Sequence, residues 1–324
     1  MKKISRQTTT SLLSATGLFI ALSSTPASAD LLIYEPFDYS AGVPIIGQQD
    51  LYSPGSPTWA RAGTVGTATV HHVVTPSLTA PSGFPASVGN GGFTVGGPTA
   101  TADFKEYARM SLGSEYGVNA TLYYSLLLNV PSTTGMTVAN TNPNANNDGI
   151  IAFNNATGTS AGEPNTWAGE LTMRLGSVAN TFNLGVRAST TPNGVGNTYW
   201  TGDITTTSTH LVVVGFTEGA TPGLGGLSSL WLDPSSGTFG ALSAPTADGS
   251  TIGTYSATGA NDHTDSLILG AGIATGTDPN QTLVDEIRAG TTWADVTAVP
   301  EPATATLAGL GLLAFIGFYR RARR

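Results

Sequence analysis

The chain has 324 residues, 41 of them glycine and none of them cysteine, and carries 13 Lys+Arg against 21 Asp+Glu for a formal net charge of −8. The lack of cysteine excludes disulfides and cysteine-ligated metal sites, and the glycines do not follow the three-residue period of collagen. An acidic chain is also a poor partner for nucleic acid, so we expect no nucleic-acid partner.

The first predicted element is a secretory signal peptide at residues 1–29. A basic start is followed by an apolar run over 12–22, and Ala27 and Ala29 occupy the −3 and −1 positions of a cleavage site after Ala29. This three-part order is typical of export signals. A short buried helix is the alternative, but it would give no role to the basic start or to the small-residue ending.

Residues 30–299 are predicted to form one domain. Three basic residues precede this body and four follow it, which leaves six Lys+Arg against 20 Asp+Glu and a formal charge of −14. The body should therefore repel nucleic acid and anionic membranes. Its length falls within the size of a single large β-sandwich, and no composition shift inside it indicates a second domain.

Short apolar segments separated by Gly, Pro, Asn and Thr recur along the body, and no helical period stands out. Side chains alternate strictly between apolar and polar at 121–130, 170–175 and 181–188, which is typical of half-buried strands. Further strands are predicted at 67–74, 104–112, 149–153, 211–216, 230–232, 266–269 and 282–289. The proline-rich stretch 75–98 is predicted to be a long surface excursion.

Candidate ligand-binding residues are few. Trp167 and Trp200 lie near loop-like sequence, where exposed aromatic rings can stack on the apolar faces of sugars, with core packing as the alternative. Asp148, Asp262 and Asp265 are candidate oxygen ligands for calcium, with solvated loops as the alternative. Calcium is therefore the one cofactor that the sequence indicates.

No catalytic constellation is recognisable. Retaining glycosidases need two carboxylates close together, whereas Asp285 and Glu286 are adjacent and should point to opposite faces of a strand. We expect one of them to bond neighbouring backbone and the other to meet solvent. No Gly-x-Ser-x-Gly turn is present, and no phosphate-binding glycine-rich loop with a lysine. The sequence therefore predicts a protein that is not an enzyme.

The last predicted element is a single membrane-spanning helix. Residues 303–319 carry no charge and are just long enough to cross a bilayer. A Pro-Glu-Pro triplet precedes this span and an arginine cluster follows it: Pro300, Glu301, Pro302, Arg320, Arg321, Arg323 and Arg324. The arginines should stay on the cytoplasmic side of the inner membrane. An ordinary single-span anchor is the alternative.

This order of parts over residues 300–324 resembles the PEP-CTERM sorting signal. The resemblance implies that an exosortase-type membrane enzyme recognises and processes the tail, with the inner membrane as a partner during export. It also implies a Gram-negative host that makes extracellular polysaccharide. The signal specifies where the protein is sent and does not indicate its molecular activity.

A second resemblance covers most of residues 31–298. It rests on four stretches of sequence: 32–39, 211–214, 230–234 and 284–296. These are similar to concanavalin A-like, laminin-G-like jelly-roll proteins found with PEP-CTERM tails. The resemblance implies an all-β concanavalin A-like jelly-roll β-sandwich whose last strand returns beside the first, and it places Trp231 and Trp293 in the core. Its motifs support the fold and leave the function open.

These observations predict an exported, exosortase-processed protein of the cell surface or extracellular matrix with a structural or adhesive, non-catalytic role. A carbohydrate-binding, lectin-like module, with or without calcium, is the first alternative, and extracellular polysaccharide would then be its partner. A glycoside hydrolase or polysaccharide lyase is the second. We expect the protein to be membrane-anchored through the C-terminal helix before processing, and to reside at the envelope surface or in the matrix afterwards.

Overall fold

The computed structural model describes residues 31–62, 71–89, 92–95, 105–134, 148–158, 167–189, 198–220, 226–253, 263–272 and 282–298. The strands are β1 (Leu31–Glu35), β2 (Ala60–Ala62), β3 (His72–Val74), β4 (Gly92–Val95), β5 (Lys105–Tyr116), β6 (Thr121–Asn129), β7 (Asp148–Asn154), β8 (Trp167–Leu175), β9 (Thr181–Ser189), β10 (Tyr199–Trp200), β11 (Ile204–Thr205), β12 (Thr209–Thr217), β13 (Gly226–Leu232), β14 (Gly249–Gly253), β15 (Thr264–Gly272) and β16 (Thr282–Gly290). A 3-10 turn at Ser236–Thr238 and a short helix, α1 (Trp293–Thr297), are also present.

The strands form two antiparallel sheets. The first sheet has the order β14-β13-β12-β6-β16-β4-β3, and β1 also pairs with β16. The second sheet has the order β10-β9-β8-β7-β15-β5-β2, and β11 also pairs with β9. The last strand therefore lies beside the first, as the family resemblance implies, with Tyr34 of β1 opposite Arg288 of β16.

The core lies between the two sheets, and alternate residues of their strands fill it. β6 supplies Leu122, Leu126 and Leu128 to this core, and β9 supplies Phe182, Leu184 and Val186. Tyr124 of β6 crosses the core, and its Oη donates a hydrogen bond to the carbonyl of Gly169 in β8 at 2.7 Å. The period of two in the sequence thus reports which side of each strand faces inward.

The outer face of the first sheet is covered by other parts of the chain. A second apolar cluster packs there, and it consists of Leu78, Phe84, Leu127, Leu211, Val213, Trp231, Trp293 and Val296. The rings of Trp231 and Trp293 meet at 5.2 Å, and Trp293 Nε1 donates to the carbonyl of Thr238 at 2.8 Å. The predicted core position of these two tryptophans is confirmed, since they are 6% and 1% exposed.

Asp285 and Glu286 of β16 hold the segment 77–89 against the outer face of the first sheet. Asp285 Oδ2 accepts the backbone N–H of Leu78 at 2.9 Å, and Glu286 Oε1 accepts that of Val88 at 2.9 Å. The pairing of β16 with β6 shifts register here and Glu286 has φ 50°, so a bulge turns both side chains to one face. The expectation that one carboxylate meets solvent is therefore wrong, because both residues are 0% exposed.

The predicted all-β jelly-roll sandwich is confirmed. Patterned stretches at 121–130 and 181–188 correspond to β6 and β9, and 282–289 corresponds to β16. The surface excursion predicted for 75–98 is wrong in part, because Gly92–Val95 forms β4 between β3 and β16. Among the described residues, no helix is long and apolar enough to cross a membrane, and the predicted span at 303–319 lies outside them.

Candidate functional site

An open cavity lies beside β1, where that strand passes into a long loop. We call it the β1 cavity. Its volume is about 290 Å³, and it is lined by Glu35, Asp38, Tyr39, Gln48, Gln49, Leu51 and Tyr52. The lining offers two carboxylates, two carboxamides, two tyrosines and a leucine, and none of these seven residues is basic. A concave site that combines apolar surface with a few polar groups is typical of small-ligand binding.

Glu35 forms the buried wall of the β1 cavity. It is 1% exposed, its Oε1 accepts the Phe37 N–H, and its Oε2 accepts hydrogen bonds from Tyr39 Oη and Trp59 Nε1, all at 2.6 Å. Phe37 has φ 54°, a conformation that turns the chain sharply after β1. The Glu35 carboxylate therefore fixes how the chain leaves β1.

The opposite wall of the β1 cavity is the loop between Gly47 and Trp59. A backbone hydrogen bond closes the base of this loop, since the Gly47 N–H donates to the carbonyl of Trp59 at 2.8 Å. Within the loop, Asp50 Oδ1 accepts the backbone N–H of Tyr52 at 2.8 Å. The Tyr52 hydroxyl then reaches across and donates to Asp38 Oδ2 at 2.7 Å. These contacts hold the two walls at a fixed separation.

The rim of the β1 cavity is apolar and exposed. Leu51 is 72% exposed and Tyr52 is 43% exposed. The Tyr52 ring packs edge-on against Tyr34 with 5.7 Å between ring centroids, so its orientation is set without a ligand. An exposed and oriented ring beside acceptor oxygens is suited to contact with the apolar face of a sugar.

The Glu35 carboxyl in the wall of the β1 cavity has a raised pKa. Burial raises the pKa of Glu35 from 4.5 to about 7, although hydrogen bonds from Tyr39 and Trp59 act in the opposite direction. Burial also raises the pKa of Asp50. The Glu35 carboxyl therefore exchanges its proton near neutral pH, which is the property required of an acid–base catalyst.

Sequence reasoning missed this cavity. Glu35, Asp38 and Tyr39 stand inside the stretch 32–39, which the family resemblance assigns to the fold. Catalytic acids were expected as pairs on one strand, whereas these acids converge from a strand end and the loop after it. The adjacent apolar residues Leu51 and Tyr52, in a stretch rich in Gly, Pro and Gln, are the signal that could have indicated an exposed rim.

The predicted sugar-stacking residue Trp167 lies at the start of β8, on the outer face of the second sheet. It is 2% exposed, and its ring packs at 5.3 Å from that of Tyr107. A Cβ built on Gly270 would lie 3.2 Å from this ring, and one on Gly149 would lie 3.7 Å from it. The ring is enclosed, so Trp167 offers no open face for a sugar in this conformation.

Trp200 of β10 is half-buried and retains accessible surface. Its ring lies over Gly185 of β9, and the guanidinium of Arg174 lies 4.3 Å from the ring centroid. Arg174 is itself held by a 3.1 Å hydrogen bond from its Nε to Asn183 Oδ1. Trp200 thus has the exposure that stacking needs, and its role in glycan binding stays a prediction.

A buried ion pair lies on the same sheet. Arg187 Nε donates to Glu170 Oε2 at 2.6 Å and Arg187 Nη2 donates to Glu170 Oε1 at 2.9 Å, and the two residues are 1% and 2% exposed. Such bidentate pairing neutralises both charges. The pair therefore fixes β8 against β9 and leaves neither charge for a ligand.

The structure groups one of the candidate calcium ligands with other possible ligands. Asp265 lies near Glu115 and His263, and one ligand atom from each residue lies within 4.8 Å of the others. Asp148 begins β7, and its side chain lies outside the part of the chain that the structure describes. Asp262 lies outside the described residues.

The predicted targeting residues also lie outside the described residues. They are Ala27 and Ala29 at the first end, and Pro300, Glu301, Pro302, Arg320, Arg321, Arg323 and Arg324 at the second. The family model of the PEP-CTERM protein-sorting motif matches residues 298–324. The chain therefore carries this sorting motif, which marks the protein for export and for C-terminal membrane anchoring during sorting. The motif implies exosortase processing in general.

No curated protein matches the chain, but solved structures are similar to it. An endo-β-1,4-glucuronan lyase from the fungus Trichoderma reesei is 14% identical, with 82% of this chain and 97% of that chain covered and a TM-score of 0.38. An alginate lyase in complex with alginate trisaccharide is 10% identical, with 77% and 99% covered and a TM-score of 0.40. The carbohydrate recognition domain of Emp46p is 9% identical, with 72% and 88% covered and a TM-score of 0.32.

These comparisons correct one expectation. The sequence predicted a protein that is not an enzyme, because no catalytic motif was recognisable. That prediction is wrong, since polysaccharide lyases stand among the similar structures. A missing motif was a weak basis for it, because acids that converge from separate parts of a fold leave no fixed spacing in the sequence.

Proposed function

We propose that this exported protein binds a neutral polysaccharide in the β1 cavity. The observation that carries the proposal is the exposed, oriented ring of Tyr52 at the rim of a cavity whose walls are carboxylates and carboxamides. Sugar rings present apolar C–H faces and polar hydroxyl edges, and a site of this composition offers a partner to each.

The charge of the cavity selects the kind of polysaccharide. Glu35 and Asp38 line it and no basic residue does, in a body of formal charge −14. A polymer with carboxylate groups would meet like charge, whereas neutral hydroxyls donate hydrogen bonds to carboxylate oxygens. With the sorting motif, this binding supports an adhesive role at the envelope surface or in the extracellular matrix.

The proposal is tested with the full chain purified in detergent and presented to immobilised neutral polysaccharides and, separately, to uronate polysaccharides. We expect selective retention on a neutral polymer that free oligosaccharide reverses. Tyr52→Ala should weaken the affinity at least about tenfold, which corresponds to about 1.4 kcal/mol. Leu242→Ala is the matched control, because Leu242 is 88% exposed but lies outside the cavity.

Three results would overturn the proposal. The first is equal affinity of the wild type and the Tyr52→Ala variant for every polymer retained. The second is loss of binding in Trp200→Ala alone, which would move the site to the second sheet. Retention on uronate polymers only would contradict the charge argument.

A second candidate function, cleavage of the bound polysaccharide, is favoured by the protonation of Glu35. A carboxyl with a pKa of about 7 can donate or accept a proton at neutral pH, and the Tyr39 hydroxyl links Glu35 to the cavity through a 2.6 Å hydrogen bond. These are the properties of a general acid–base group acting on a glycosidic bond. Release of new reducing ends by the wild type, abolished in Glu35→Gln with polymer binding retained, would support it. No release from any retained polymer would contradict it.

A further inference from the structure

We infer that Glu115, His263 and Asp265 form a site for a divalent transition-metal ion of the zinc type, at one end of the β5–β15 pair. One possible ligand atom from each residue lies within 4.8 Å of the others. His263 Nε2 and Glu115 Oε1 are 3.8 Å apart. The inference is independent of the polysaccharide proposal, because none of the three residues lines the β1 cavity.

The strand register explains why these residues meet. Thr264 of β15 pairs with Tyr116 of β5 in antiparallel fashion. His263 and Asp265 flank Thr264, and Glu115 precedes Tyr116. This pairing therefore brings the three residues together at the end of the strand pair, where the register shifts between Thr264 and Ser266.

Asp265 supplies an independent observation that indicates a ligand. It is 7% exposed, and among the described residues none donates a hydrogen bond to its carboxylate. Glu115, His263 and Arg109 are the charged groups that lie near it. An enclosed carboxylate without donors is unfavourable unless a cation or a proton satisfies it. A metal ion held beside His263 would do so.

The types of ligand atom indicate which metal ion the site would bind. Calcium takes six to eight oxygen ligands, whereas zinc takes one imidazole nitrogen and carboxylate oxygens at about 2.0–2.2 Å in a tetrahedron. Two such ligand atoms are then about 3.4 Å apart, which is close to the 3.8 Å between His263 and Glu115. Three protein ligands leave the fourth position open to water or to a ligand. The site therefore uses Asp265, as predicted for calcium, but with His263 and Glu115 as its companions.

The test uses the full chain in detergent, stripped with chelator, and titrated with Zn²⁺ alone by calorimetry. We expect one saturable site, and His263→Ala, Asp265→Asn and Glu115→Gln should each weaken it at least about tenfold. Because the Glu115 side chain is 70% exposed, its variant should fold normally even if a buried substitution does not. Co²⁺ in place of Zn²⁺ should give the visible absorption of a four-coordinate ion.

The matched control is His210→Ala, since His210 also contacts an acid, Asp233, at 2.7 Å but lies in β12 of the first sheet, whereas the proposed site lies on the second sheet. It should leave Zn²⁺ affinity unchanged. Three results would each overturn the inference: no saturable Zn²⁺ binding, equal loss of affinity in His210→Ala and His263→Ala, or displacement of Zn²⁺ by equimolar Ca²⁺.

Discussion

The outer faces of the two sheets carry aromatic residues in contrasting surroundings. On the outer face of the first sheet, Trp231 of β13 and Trp293 of α1 lie in one continuous apolar cluster with Leu78 and Phe84 of the segment 77–89. On the second sheet, Trp167 lies in a small cluster with Tyr107, and its neighbours in β8 and β9 include a buried ion pair. An aromatic side chain is therefore structural or available according to what covers it, and the residue type alone does not decide.

The contrast also concerns charge. On the first sheet, Asp285 and Glu286 accept backbone N–H groups of the covering segment, so their charges fix one part of the chain to another. On the second sheet, Glu170 pairs with Arg187 and Arg174 contacts Trp200. The outer face of the first sheet is therefore covered, whereas the outer face of the second sheet carries half-exposed groups near Trp200.

The largest expected effect tests the covered face of the first sheet. Trp293→Ala should lower the free energy of unfolding by about 3–5 kcal/mol, because it removes a fully buried ring and leaves a cavity. It also leaves the carbonyl of Thr238 without the indole donor. Denaturant unfolding followed by circular dichroism measures the change, with Leu242→Ala as the exposed control. A loss below about 1 kcal/mol would mean that this cover is not part of the folded core.

The next effect tests the buried ion pair of the second sheet. Arg187→Met leaves the Glu170 carboxylate buried without its partner, so we expect a loss of about 3 kcal/mol. The double variant Arg187→Met/Glu170→Leu should recover most of that loss, because no unpaired charge remains. Failure of the double variant to recover would show that the pair contributes more than mutual neutralisation, and a double-mutant cycle gives the coupling directly.

The sequence predicted the sandwich because its strands repeat with a period of two over long stretches, as in β6 and β9. It could not predict the bulge at Glu286, since a local change of register leaves no mark on an alternating pattern of mixed polar and apolar residues. It also missed the β1 cavity, which depends on where a loop folds back. Contacts between residues distant in sequence, such as Glu35 with Trp59, follow from the tertiary fold and not from spacing.

The pH dependence of stability tests the covered face and the β1 cavity together. Burial raises the pKa of Asp285 from 3.8 to about 7 and that of Glu35 from 4.5 to about 7. Between about pH 4.5 and 7 the unfolded chain has lost both protons while the native protein retains them, so the free energy of unfolding should fall as pH rises, and level off above 7. We expect up to about 3 kcal/mol from each acid over this window.

The variants Asp285→Asn and Glu35→Gln assign this pH dependence to the two regions. Each should flatten part of the slope between pH 4.5 and 7, measured from the denaturant midpoint at a series of pH values. Substitution of the exposed acid Asp38 by Asn is the control and should leave the slope in place. Stability that rises with pH across this window would contradict the raised pKa of both buried acids.

The smallest expected effect concerns the half-exposed end of the second sheet. Arg174→Met removes the guanidinium from the Trp200 ring and the hydrogen bond to Asn183. Because Arg174 and Trp200 are only half-buried, we expect a loss of only about 0.5–1 kcal/mol. Denaturant unfolding measures it, and Trp200→Ala in the same background should show a coupling of similar size. A loss near that of Arg187→Met would place Arg174 and Trp200 in the closed interior with Trp167. A small loss keeps Trp200 accessible, which is the condition that any role in glycan stacking requires.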